Sequence, residues 1–300
     1  LDIPRQPGIR RTRLAAVLCG LVLVVGAACT GCSSTPPDTV GTTPTSARLR
    51  NADPGAMVAL PGTLAADFAA LLPTLGGRAG MAVMAVGGDT VAAMGNWTSG
   101  PAWSTMKVPL VLAVLNSNGD APSYQMSAAI TESDNSAADA LWQSLGTPDQ
   151  AARAIQAILR AGGDSTTTVP ASRARPDYSA FGQAVWTLED QVRFAAHLPC
   201  LSNADTVTDL MSKVVGSQQW GLGRLDDASY KGGWGPDPAG HYLVRQFGLV
   251  TTPNGQMAVA MAASADSGSF DDSTAILNKI APLLTKHLGD LPAGKCRAGH

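Results

Sequence analysis

The sequence predicts an α+β domain with an all-helical insertion, and three observations carry that expectation. A helix-period stretch and two short apolar runs come first, over 62–94. A block of segments with helical periodicity and helix-cap residues follows, reaching about 215. The period then returns to strand-like runs before one last amphipathic segment, over 228–288. Sheet-forming pieces at both ends of a helical block are the pattern of a sheet domain interrupted by helices.

Each element has a local reason. Over 62–75, Leu64, Phe68, Leu71 and Leu72 share one helical face. The apolar runs 80–86 and 90–94 are joined by Gly87-Gly88-Asp89, a hairpin signal. Residues 104–115 are apolar nearly all round, which predicts a buried helix. Thr147, with Pro148 next and Gln150 at the third position, forms a capping box for a helix to about Ala161. Residues 166–183 lack periodicity and contain Pro170 and Pro176, so they read as a long loop. Thr187 caps a helix through His197, and another is expected over 204–215. Strands are expected over 228–233, 241–250 and 257–263, and a closing helix over 271–288.

The N-terminus is not read as fold. Arg10, Arg11 and Arg13 precede an uncharged apolar run over 14–28, which ends in small residues and cysteine. That is the layout of an export signal, too short to span a bilayer comfortably. The stretch 26–34 resembles a bacterial lipobox. It makes Cys32 the acylated residue, with Cys29 as the alternative. The expected organisation is therefore a lipoprotein signal over 1–31, a Ser/Thr/Pro-rich tether over 32–56 and a domain over 57–300. Within the domain, an α/β part spans about 57–106 and 222–290, and a helical part about 107–221. Export to the outer face of the membrane follows, held there by the lipid. Two cysteines remain for the domain, Cys200 and Cys296. In an oxidising compartment they are expected to pair.

Composition excludes several functions. The formal net charge of −2 offers no dense basic patch for nucleic acid. The histidines, His197, His241, His287 and His300, are scattered, and the domain has no C-x-x-C or H-E-x-x-H, so neither metal nor cofactor is expected.

Chemistry concentrates in three short motifs. Ser104-Thr105-Met106-Lys107 is the only S-x-x-K in the chain. On a helix it brings a hydroxyl and an amine to one face. Serine needs a base, and a lysine can serve if burial and a second cation lower its pKa. Ser133-Asp134-Asn135 begins 29 residues later, and Lys231-Gly232-Gly233 opens the strand block. Taken singly, the second also reads as a helix N-cap cluster and the third as a strand ending in a glycine turn. In this order, on helix, loop and strand, the three resemble the motifs of class A serine β-lactamases and penicillin-binding proteins.

The resemblance, covering about 57–288, implies an antiparallel sheet flanked by N- and C-terminal helices plus an all-α subdomain. It implies that Ser104 attacks a carbonyl, Lys107 activates it and Ser133 relays a proton to the leaving group. Asn135 would position Lys107 and the substrate amide. Lys231 would place positive charge near Ser133 and the substrate carboxylate. The backbone N–H groups of Ser104 and Trp234 would form the oxyanion hole, with Gly233 beside the substrate.

The chain also departs from that family. Gly232 replaces the hydroxyl residue of the third motif, and the stretch between the first two motifs is short, which opens the cleft. The segment 169–186 lacks the glutamate that activates the deacylating water. Asp177 is its carboxylate, read either as that base or as a salt-bridge partner of Arg173 or Arg175. Glu189, in the first turn of a helix, reads as structural. Arg245 reads as a replacement carboxylate contact or as an exposed surface arginine. The leading expectation is a cell-envelope serine hydrolase acting on an amide or ester, such as a peptidoglycan-derived peptide, without efficient β-lactamase action. The alternative is a catalytically silent domain that binds a cell-wall glycan, peptide or protein partner.

Overall fold

The computed structural model describes residues 63–118 and 123–296. The expected signal over 1–31, the tether over 32–56, the lipidation candidates Cys29 and Cys32, and residues 57–62 lie outside the described residues.

One antiparallel sheet organises the domain. Its five strands are β1 (Gly77–Ala85), β2 (Ala92–Gly95), β5 (Ala228–Pro236), β6 (Tyr242–Thr252) and β7 (Gly255–Ala265), in the order β2-β1-β7-β6-β5. The N-terminal hairpin therefore joins the C-terminal strands through the β1–β7 pairing, with Met81 opposite Met261. Strand period two decides the two faces. Met81, Val83, Val259 and Met261 pack on α1 (Thr63–Leu71) and α8 (Phe270–His287), whose Phe68, Ile276, Leu277 and Ile280 are buried with them. Ala82, Met84, Ala258, Ala260 and Ala262 belong to the core on the other face.

That second face receives the helices between β2 and β5: α2 (Lys107–Asn118), α3 (Tyr124–Ser127), α4 (Asn135–Ser144), α5 (Pro148–Ala161), α6 (Leu188–His197) and α7 (Ala204–Met211). Val108 and residues 110–115 of α2 are all buried, as a helix apolar on every side requires. The capping box of α5 forms with both of its reciprocal bonds. The helix α6 lies within the span expected to be helical subdomain, yet it packs directly on β1, β6 and β7. Small alanines on the facing strands let it approach.

Three local departures from the sequence expectation matter for the site. The segment expected to be one helix from 104 begins as a 3-10 turn, Trp103–Met106, and becomes α-helical only at Lys107. The proline-containing loop ends in β4 (Val185–Thr187), which pairs with β3 (Ser99–Pro101) in a separate two-stranded ribbon. A π-helical turn, Ala128–Glu132, precedes Ser133. Cys200 and Cys296 are joined in a disulfide, with Cα atoms 5.4 Å apart across a sequence separation of 96.

Candidate active site

Ser104 sits at the start of the turn that leads into α2, and Ala102 is its N-cap. An amide at a helix start has no acceptor inside the helix, so the Ser104 N–H is free to serve an oxyanion. In a 3-10 turn residues three apart eclipse one another, so Ser104 and Lys107 still share a side without a regular α-helix. Trp103, immediately before, holds φ 50°, a left-handed conformation costly for a bulky residue.

Lys107, three residues after the serine, is 1% exposed. Its Nζ donates to the carbonyl of Ser133 (2.5 Å), to Asn135 Oδ1 (2.8 Å) and to the carbonyl of Asp134 (3.2 Å), with Ser133 Oγ 3.4 Å away. Local structure aims these acceptors. After the π-turn Ser133 adopts φ 60°, ψ 30°, which reverses the chain. Asp134 then N-caps α4 through its Oδ1, which accepts from Ala137 N at 2.6 Å. The cap reading and the site reading of Ser133-Asp134-Asn135 are thus compatible: the cap fixes the loop that holds the lysine.

Burial pushes the Lys107 ammonium down to about 7, although the carboxylates of Asp134 and Asp139 pull the other way. Four acceptors, Ser133 Oγ among them, surround the Lys107 amine, and the Ser104 hydroxyl makes no hydrogen bond among the described residues. Activation requires Nζ to lose a proton and turn its lone pair toward Ser104. A pKa near 7 makes that form accessible at neutral pH. Free-enzyme catalytic hydrogen bonds commonly tighten only once substrate is bound.

Lys231 lies under the cleft rather than in it. It is wholly buried and donates to the carbonyl of Gly232 at 3.0 Å. Burial, and then the positive charge of Lys107, hold its pKa well below the ordinary lysine value. Gly233 is buried as well. A Cβ there would lie 2.9 Å from the amide nitrogens of Ser104 and Thr105, so glycine lets β5 press against the turn. That contact sets Trp234, the next residue, on the cleft wall beside Ser104.

The cleft has a volume of about 270 Å³. Ser104, Ser133, Asn135, Asp177 and Trp234 of the expected residues line it, joined by Trp103, Asp139, Arg173, Tyr178 and Tyr242. The indole of Trp103 covers Gly235, where a Cβ would come within 2.6 Å of the ring, and meets Tyr178 edge-on at 5.1 Å. Arg175 stacks on Tyr178 at 4.3 Å and donates to the carbonyl of Pro236, strapping the loop to the end of β5. A larger cavity of about 510 Å³ beside β2 and the start of α6 includes Glu189 but none of the motif residues.

Two expectations need correction. Arg245 is neither exposed nor in the cleft. It is 0% exposed and donates to Gln191 Oε1 (2.7 Å from Nη2) and to the carbonyls of Gly100, Trp186 and Pro101 (3.0, 3.0 and 3.1 Å). Arg245 stands opposite Gly233 and shares its face of the sheet, the face pressed against the Ser104 turn, where its guanidinium is buried outside the cleft lining; Gln246 stands opposite Gly232. Asp177, exposed on the rim, forms no ion pair among the described residues. Arg173 instead pairs with Asp139 at 3.2 Å. Asp139 was missed although its signal was present: it lies one helical turn after Asn135, on the same face of α4. Trp103, Tyr178 and Tyr242 carried no such signal, because only the fold brings them together.

No cluster of three or more metal-ligating side chains occurs among the described residues. No described helix is long and apolar enough to cross a membrane.

Neither the protein-family models nor the curated proteins contain a match to this chain. Solved structures do match. TLA-1 extended-spectrum β-lactamase is 19% identical, with a TM-score of 0.62 over 75% of this chain and 98% of that one. TLA-3 extended-spectrum β-lactamase is 18% identical, with a TM-score of 0.61 over 75% and 98%. A mutant of the chromosome-encoded β-lactamase of Vibrio parahaemolyticus is 17% identical, with a TM-score of 0.59 over 75% and 100%. The chain therefore has the serine β-lactamase-like fold.

Proposed function

We propose that this chain is a serine hydrolase of the cell envelope that cleaves an amide or ester through an acyl-enzyme on Ser104. One observation carries the reading: a buried lysine with a pKa of about 7, held by Ser133 and Asn135, which line the same cleft as Ser104. A silent domain has no need to bury an amine there, since burial without an ion partner destabilises the fold.

The steps follow from the residues. Neutral Lys107 takes the Ser104 proton as Oγ attacks the carbonyl. The N–H groups of Ser104 and Trp234 receive the oxyanion. Collapse breaks the bond to the leaving amine or alcohol, which takes its proton through Ser133. Water then hydrolyses the ester. The cleft carboxylates are Asp139, paired to Arg173, and Asp177 on the rim. With no glutamate over 169–186, slow deacylation is expected, and efficient β-lactamase action is not part of the reading. The substrate is a small molecule or peptide, and a peptidoglycan-derived peptide is one candidate. Export with acylation at Cys32, or at Cys29, places the domain outside the membrane. The N-terminal basic and apolar run supports this, as does the Cys200–Cys296 disulfide.

The second reading, a binding domain without turnover, is favoured by Gly232, which removes a substrate-handling hydroxyl. A fluorophosphonate probe separates the two. Stoichiometric labelling of the wild-type protein that disappears in Ser104→Ala supports the hydrolase. Absence of labelling in both leaves the binding domain.

A further inference from the structure

A buried polar chain runs from β6 to the turn that carries Ser104. Arg245, Gln191 and Thr105 are each 0% exposed. Arg245 Nη2 and Nε donate to Gln191 Oε1 at 2.7 and 3.3 Å, and Gln191 Nε2 donates to Thr105 Oγ1 at 3.0 Å. Thr105 Oγ1 in turn donates to the carbonyl of Ala102 at 2.5 Å. The direction of each bond is forced. A guanidinium only donates, so it takes the amide oxygen of Gln191 and leaves the amide nitrogen for Thr105. With that nitrogen donating to it, the Thr105 hydroxyl gives its one proton to Ala102. Bonds polarised in one direction strengthen one another.

Both ends of this chain grip residues that flank the nucleophile. Arg245 Nη1 holds the carbonyls of Gly100 and Pro101, and Ala102 is the N-cap of the turn Trp103–Met106. Residues 100–102 are thus fixed on one side of Trp103-Ser104, and Thr105 on the other. Between them Trp103 keeps φ 50°, a conformation that persists only where its surroundings over-determine it. The peptide joining Trp103 to Ser104 sets where the Ser104 N–H points. Arg245, Gln191 and Thr105 lie outside the cleft lining, and none of them is among the groups that shift Lys107.

The geometry points to Gln191 as a positioning residue for Ser104: held by Arg245, it directs the Thr105 hydroxyl onto Ala102 and so keeps the Ser104 N–H aimed at the oxyanion. Gln191 acts through Thr105, not on the substrate. The role rests on the reading of Ser104 as the nucleophile.

The test is fluorophosphonate labelling of the full chain, with the second-order rate constant followed across pH. The amplitude counts competent molecules and the rate constant reports how each one is arranged, so a modest loss of stability leaves the rate constant in place. Gln191→Glu retains the oxygen that Arg245 needs and removes the donor to Thr105. Its plateau rate constant is expected to fall at least about tenfold, the scale of a small misplacement of reacting groups. Thr105→Val, near in shape but without the hydroxyl, should fall alike with its pH midpoint unmoved. Thr105→Ser, which restores the hydroxyl, should recover most of the rate. The Thr105 pair buries no new charge, so it decides the matter where Gln191→Glu does not fold. An unchanged rate constant in Gln191→Glu or Thr105→Val overturns the proposal. So does a Thr105→Ser rate as low as that of Thr105→Val, or a midpoint that moves in Thr105→Val, which would place the effect on Lys107. Failure of the acyl-enzyme reading has its own signature: no labelling of the wild type that depends on Ser104, which removes both.

Discussion

If Lys107 is the base for Ser104, the rate of acylation must follow its loss of a proton. Burial lowers the lysine from its ordinary value of 10.5 to about 7. The neutral form is the active one, so the rate rises with pH and levels off above the folded pKa. The neutral fraction is ~9% one unit below such a pKa and ~91% one unit above it, about a tenfold rise between pH 6 and pH 8. An unperturbed lysine would instead give a rise of about a hundredfold over the same range with no plateau. Asp139 is one of the two carboxylates that hold the Lys107 value up. Asp139→Asn therefore moves the midpoint to lower pH and raises the relative rate at pH 6. The assay is the second-order rate of fluorophosphonate labelling between pH 5.5 and 9.5, which needs no knowledge of the substrate. A flat profile, or a midpoint near 10, would refute Lys107 as the base. A midpoint that moves to higher pH in Asp139→Asn would refute the electrostatic account of its tuning.

Two further outcomes concern stability. Replacing Cys200 and Cys296 by alanine releases a loop with a sequence separation of 96. Chain entropy sets the loss at up to ~4–5 kcal/mol, read from urea unfolding of the oxidised protein and the variant. A loss below about 1 kcal/mol would mean that the tail is held by its other contacts. Arg245→Met leaves Gln191 Oε1 and the carbonyls of Gly100, Pro101 and Trp186 without their donor in a dry site. It should cost about 3 kcal/mol or more in the same assay. The pH midpoint of labelling should stay unchanged, because Arg245 lies outside the cleft lining and is not among the groups that shift Lys107; a shift in that midpoint would contradict this placement.

Local physics made much of the fold legible. The capping box at Thr147 and Gln150, the Thr187 cap and the all-round apolar 104–115 segment each specify an element through neighbours in sequence, and each forms. Boundaries were less legible. The strand β5 runs three residues past its expected end at Gly233, because ladder pairing with β6 holds Trp234, Gly235 and Pro236 in place. The ribbon of β3 and β4 has no signal in the sequence, because three-residue strands carry no measurable period. The place of Arg245 is hidden in the sequence for a related reason. Strand side chains alternate between faces, and only the register with β5 says which face is which.

The sequence by itself determined the helical and strand segments, the order of three motifs and the pair of cysteines free to join, because those depend on residue type and short-range spacing. Tertiary structure decided what these groups are worth. It buried Lys107, Lys231 and Arg245, paired Asp139 with Arg173 and filled the space beside Gly232 with Trp220. Burial, charge and volume at a point are set by every chain segment that reaches it, and those segments are far apart in sequence.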